Sequence, residues 1–190
     1  LVIALPFLSV FPEQAVSLFV VGMVGGIFPD FDLYFGHRKT LHFPVYYGIP
    51  VVILGIGGFV SMEPIVILGF IFVSAAWLHS VMDILGSGVE LRPWEATSNK
   101  AVYNHYRDEW IKPRRLVEYD GSPGDLFLAA ALGIPLVFGF SSPVNSYIGV
   151  MLVIAIVYAV CRKQLAEVAE WVVRHLPDKI YAYIPPRYFN

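Results

Sequence analysis

The sequence predicts an all-α integral membrane protein: a bundle of about four to five transmembrane helices, with a long cytoplasmic loop and a C-terminal amphipathic helix. Three observations carry this. The 190 residues are 57% hydrophobic and only 15% charged, with a mean hydropathy of +0.64. A soluble domain usually has about 25% charged residues, so the deficit points to lipid as solvent. Apolar segments alternate with breaks that carry turn chemistry, and every basic residue falls on one side of that alternation.

In chain order, residues 1–11 are apolar, with no basic region before them and no small-residue cleavage pattern after them. They are read as the tail of a helix begun upstream rather than as a signal peptide. Five further apolar segments lie at roughly 14–28, 45–60, 64–85, 126–140 and 144–161. Several are shorter than the about 20 residues that a hydrocarbon core asks for, so they extend into their flanks or cross a thinned bilayer. The breaks are Pro29-Asp30, Pro44, Ser61-Met62-Glu63-Pro64 and Ser141-Ser142-Pro143. The last two are short enough to make the helices beside them antiparallel hairpins.

If each segment crosses once, residues 29–44, 86–125 and 162–190 share one side. The other side holds the region of Pro12-Glu13 and the two hairpin turns. All 13 Lys and Arg residues then fall on the first side, which the positive-inside rule makes cytoplasmic. The chain reads as a single membrane-embedded domain, 1–190, with 86–125 as a cytoplasmic loop insertion. That loop has β-prone stretches at 101–103 and 115–119 and is expected to pack over the helix ends. Leu165, Val168, Ala169, Val172 and Leu176 form one stripe at helical spacing, so 163–176 reads as an amphipathic helix at the interface or continuing the last span. Gly22-x-x-x-Gly26, with Gly25, permits close helix packing.

Composition also excludes some classes. A net charge of −2 gives no basic excess for nucleic acid. The single cysteine, Cys161, excludes an intrachain disulfide and any multi-cysteine zinc site.

The chemistry gathers at one depth. Segment 14–28 ends in Pro29-Asp30-Phe31-Asp32, where an extended backbone would turn both aspartates the same way. His37-Arg38-Lys39-Thr40-Leu41-His42 precedes the next span, and His79 and Asp83 share a helix face at i and i+4. Asp30, Asp32, His37, His42, His79 and Asp83 supply nitrogen and oxygen ligands suited to a divalent metal, zinc first, with manganese or iron as alternatives. Asp32 and Arg38 are the candidate catalytic groups, Arg38 to stabilise an anionic oxygen. Arg92 and His105, in the long loop, are candidates for substrate contact. Ionisable residues beside hydrocarbon are costly and tend to be functional.

The pattern G-x-x-P-D-x-D (Gly26 to Asp32), H-R-x-x-x-H (His37 to His42) and H-x-x-x-D (His79 to Asp83) resembles the YdjM-like family, the LexA-binding, inner-membrane-associated metal-dependent hydrolases. The match covers about residues 22–93. The resemblance implies a multi-pass prokaryotic inner-membrane protein, metal-site side and C-terminus cytoplasmic, with a further His ligand near the start of the first helix, upstream of Leu1. A more distant similarity to zinc-dependent phospholipase C and its nuclease relatives points towards phosphoester chemistry.

The reading is therefore a membrane-bound metal-dependent hydrolase at the cytoplasmic interface, with lipid or other phosphoesters as substrates. The alternative is a non-catalytic scaffold with a structural metal, whose loop binds a soluble partner. A transporter needs polar or ionisable groups near the midplane, and segments 45–60, 126–140 and 144–161 contain no charged residue. A lipid phosphatase of the acid-phosphatase type would need a Pro-Ser-Gly-His motif that the sequence lacks.

Overall fold

The structure, a computed structural model, describes residues 2–8, 10–181, 183–185 and 188. Leu1 and Arg187, one of the basic residues assigned to the cytoplasmic side, lie outside them. The described residues are mostly helical. The α-helices are α1 (Leu5–Leu8), α2 (Ala15–Ile27), α3 (Leu33–Gly36), α4 (Gly48–Ser61), α5 (Pro64–Leu85), α6 (Pro123–Gly139), α7 (Val144–Arg174) and α8 (Asp178–Tyr181). Strands β1 (Val102–Asn104) and β2 (Glu109–Ile111) pair antiparallel between α5 and α6, with Tyr103 opposite Trp110.

Among the described residues, three stretches are long and apolar enough to cross a membrane: Pro12–Asp32, Pro64–Leu85 and Val144–Arg174. α4 and α6 are apolar but have 14 and 17 residues, or about 21 and 26 Å of helix. The outer faces of α4 and α7 are bare hydrocarbon, with Phe59, Val60, Val153 and Val160 all exposed.

Local chemistry sets the helix ends. α5 starts on Pro64, whose missing N–H is no loss in a first turn. Its last carbonyls need outside donors, and the backbone N–H groups of Arg114 and Leu116 reach Ile84 and Leu85 at 2.8 Å each. Residues 115–119, expected to be β-prone, thus run past the end of α5 rather than joining the sheet. α6 starts at Pro123, three residues before its apolar run, because the Ser122 hydroxyl accepts from the Asp125 N–H at 3.2 Å and caps it.

α7 is one helix of 31 residues, about 46 Å long, so the expected amphipathic segment is its continuation. Ala166 and Val173 are buried, and Arg92 grips Glu170 between them at 2.8 Å. The stripe of Leu165, Val168 and Val172 points outward, exposed.

The packing of α2 on α5 fixes how the polar ends of these two helices meet. A Cβ on Gly25 would lie 2.4 Å from the Phe72 carbonyl oxygen, so only glycine allows this approach. Gly22 meets Ile71, whereas Gly26 faces open space. The close contact therefore uses Gly22 and Gly25, at i and i+3, and not the Gly22-x-x-x-Gly26 pair. Below it, Ala4, Leu18, Ile67 and Ile71 form the buried apolar core.

Candidate metal centre

The Gly22/Gly25 contact holds the last turns of α2 against Ile71 and Phe72 of α5, two turns before His79. Beyond this contact Pro29 converts α2 into a 3₁₀ stretch, Phe28–Asp32, not the extended backbone expected. At three residues per turn, side chains two apart point about 120° apart, so the aspartates diverge. Asp30 turns towards His79 and stays 48% exposed, whereas Asp32 is fully buried.

Asp32 is the hub of the following loop. Its Oδ1 accepts from His37 Nδ1 and from the Arg38 N–H, both at 3.2 Å. Its Oδ2 accepts from His42 Nδ1 and from the Leu41 N–H, both at 3.0 Å. These bonds wrap residues 37–42 round one carboxylate and hold Arg38 at φ +60°, a left-handed conformation uncommon for a non-glycine residue. Trp77 Nε1 donates to the Pro44 carbonyl, and the Tyr47 hydroxyl to that of Leu41, at 2.8 Å each. These two bonds tie the loop to α5 and to the start of α4.

Four side-chain atoms converge on the far side of His42. His42 Nε2 lies 3.1 Å from Asp83 Oδ2 and 3.9 Å from Asp30 Oδ1. His79 Nε2 lies 3.5 Å from each of those two oxygens. A tetrahedral zinc site with ligands at about 2.0–2.1 Å has edges of about 3.3–3.4 Å, and these separations bracket that value. His42 Nε2, His79 Nε2 and Asp83 Oδ2 are buried with no hydrogen-bond partner among the described residues. Such orphans are costly unless something fills the space between them. Because His42 gives its Nδ1 proton to Asp32, its Nε2 lone pair is turned inward, the carboxylate–histidine arrangement of metal sites. The donor set fits a divalent ion, and Asp30, His42 and His79 form a group able to hold one.

Arg38 braces Asp83 from behind. Its guanidinium lies 3.1 Å from Asp83 Oδ1 and donates to the carbonyls of Ser87 at 2.7 Å and Gly88 at 3.2 Å. The expected role on a substrate oxyanion therefore meets a group already engaged, with Nε left without a partner among the described residues. Burial works against a charge on His42, but the carboxylates of Asp32 and Asp83 outweigh it and raise its pKa.

The structure thus brings Asp30, His42, His79 and Asp83 together around one point. Asp32 and Arg38 stand behind them, and His37 faces Asp32. Asp32, expected among both ligands and catalytic groups, has its oxygens occupied by four donors and turned away from that point. Arg92 and His105 are not part of the cluster: Arg92 pairs with Glu170 and Glu95, and His105 donates to the Lys39 carbonyl at 2.6 Å and stacks near Phe43. The sequence reading missed Trp77, Tyr47 and the carbonyls of Ser87 and Gly88. A polar-tipped aromatic near the end of an apolar helix was a signal for Trp77, but main-chain carbonyls carry no sequence signal. The chain matches no family model, no curated protein and no solved structure.

Proposed function

We propose that this chain is a multi-pass membrane protein of the YdjM-like kind, with its His/Asp cluster at the cytoplasmic face of a prokaryotic inner membrane. There it holds a divalent metal, zinc by preference, and hydrolyses phosphoesters. One observation carries the reading: four ligand atoms lie 3.1–3.9 Å apart, around the edge length of a tetrahedral zinc site, and three of them are buried without a hydrogen-bond partner among the described residues. The bare apolar faces of α4 and α7 support lipid as the surrounding solvent, with α4 and α6 as short spans beside the three long ones. Cysteines replacing Ser61 and Ser98 should then label from opposite faces of the membrane.

When bound, such an ion acts as a Lewis acid towards water and ester oxygens. The chain's own residues orient the site. Asp32 fixes the His42 tautomer, Arg38 fixes Asp83, and Asp30, the most open of the four, borders the space a substrate would enter. In the overall reaction water adds to phosphorus, the bond to the leaving alcohol breaks, and a proton from the water ends on that alcohol. The test is turnover of a panel of phosphoesters by purified protein, with zinc added and with chelator. Hydrolysis that chelator abolishes supports the reading, and none above the chelated control opposes it.

A scaffold with a structural metal is the second reading. The engagement of Arg38 with Asp83 and two carbonyls favours it, because the cluster then lacks a free cation for an anionic substrate. On that reading the 86–125 loop binds a soluble partner and turnover is absent.

A further inference from the structure

Resting on the metal reading above, we propose that the cluster takes its substrate sideways from the bilayer, and that this substrate is a membrane phospholipid whose phosphoester reaches the metal from the lipid side. Two independent features lead there.

The first is where the cluster is closed. His42 is fully buried, and the loop behind it is sealed by the segment between α5 and α6. The Tyr103 N–H donates to the Arg38 carbonyl at 2.9 Å, His105 donates to that of Lys39, and Lys39 lies over the Tyr103 ring. Residues 101–104 behind these contacts are buried throughout. On this side protein covers His42 and the main chain of Arg38 and Lys39, while the Lys39 and Thr40 side chains remain exposed.

The second is what borders the open part. Of the four converging side chains, Asp30 is the most exposed, at 48%, and His79 follows at 22%. Beside Asp30 stands Phe31, 59% exposed, and beyond it Phe35, 79% exposed. Beside His79 and Asp83 on α5 stand Leu78 and Met82, both exposed. Phe31 also contacts Phe28, which packs on Phe72 two turns before His79, so an apolar track runs down α5 to the ligands. A site for dissolved substrates would carry a polar rim. This one has exposed apolar side chains, Phe31, Leu78 and Met82, each one residue from Asp30, His79 or Asp83.

The test combines a label and a substrate pair in phospholipid vesicles. Nitroxides are attached at F31C, M82C and K39C, each in a chain carrying C161S, with zinc binding measured on the same samples. Relaxation by oxygen, which partitions into lipid, should exceed relaxation by a water-soluble nickel chelate several-fold at 31 and 82, with the order reversed at 39. The wild-type protein should turn over a vesicle-borne phospholipid several-fold faster than a dissolved short-chain ester with the same headgroup. Dominant nickel access at 31 and 82, or faster turnover of the dissolved ester, overturns the lateral route and leaves the metal reading standing. Failure of the wild-type chain to bind zinc overturns both.

Discussion

His42 Nδ1 donates to Asp32 Oδ2 at 3.0 Å, and both side chains are fully buried. This bond links the loop that carries His42 to the turn that carries Asp30. It also decides which imidazole nitrogen faces the ligand cluster.

Asp32→Asn retains the shape and removes the charge that orients His42. Loss of such an outer partner typically weakens metal binding by about 10–100-fold, and a loss of that size is expected here. Competition against a chromophoric chelator measures it, with helix content followed by circular dichroism. Unchanged affinity in a folded variant would mean that Asp32 does not set the tautomer.

The raised pKa of His42 gives two pH dependences of opposite sign. Without metal, a group whose pKa is raised on folding contributes stability that is complete below its unfolded value, about 6.5, and is lost as pH rises through the folded value. With metal, the ion must displace that proton, so affinity rises with pH across the same range. Thermal unfolding of the metal-free protein should therefore move to lower temperature as zinc affinity climbs. Parallel trends would contradict the assignment of His42 to both roles.

Gly25→Ala places a methyl group 2.4 Å from the Phe72 carbonyl oxygen. Overpacking of this kind costs about 1–3 kcal/mol, and it pushes α2 from α5 where Asp30 meets His79. Lower thermal stability together with weaker zinc binding is expected. Gly26→Ala, facing open space, should alter neither, and equal effects from the two variants would remove the special role of Gly25.

Much of this was legible in the sequence, for identifiable reasons. The apolar run 64–85 matches α5 at both ends, with Pro64 marking its start. The i, i+4 spacing put His79 and Asp83 on one helix face, and His42 could be singled out as a ligand candidate. The division of labour between Asp30 and Asp32 was not legible, since it depends on whether the backbone after Pro29 is extended or 3₁₀. The engagement of Arg38 was equally hidden, because its acceptors include main-chain carbonyls of Ser87 and Gly88 about 50 residues away. Gly25 was visible as a packing glycine, but its partnership with Gly22 rather than a Gly22/Gly26 pair depended on how α2 is rotated against α5.

Whether Asp30, His42, His79 and Asp83 hold one metal ion is decided by elemental analysis of purified wild-type protein beside His79→Ala and Asp83→Ala. Stoichiometric divalent metal is expected in the wild type, zinc foremost, with a large loss in each variant while both remain helical. Equal metal content in all three proteins, or none in the wild type after exposure to zinc, would contradict the shared site.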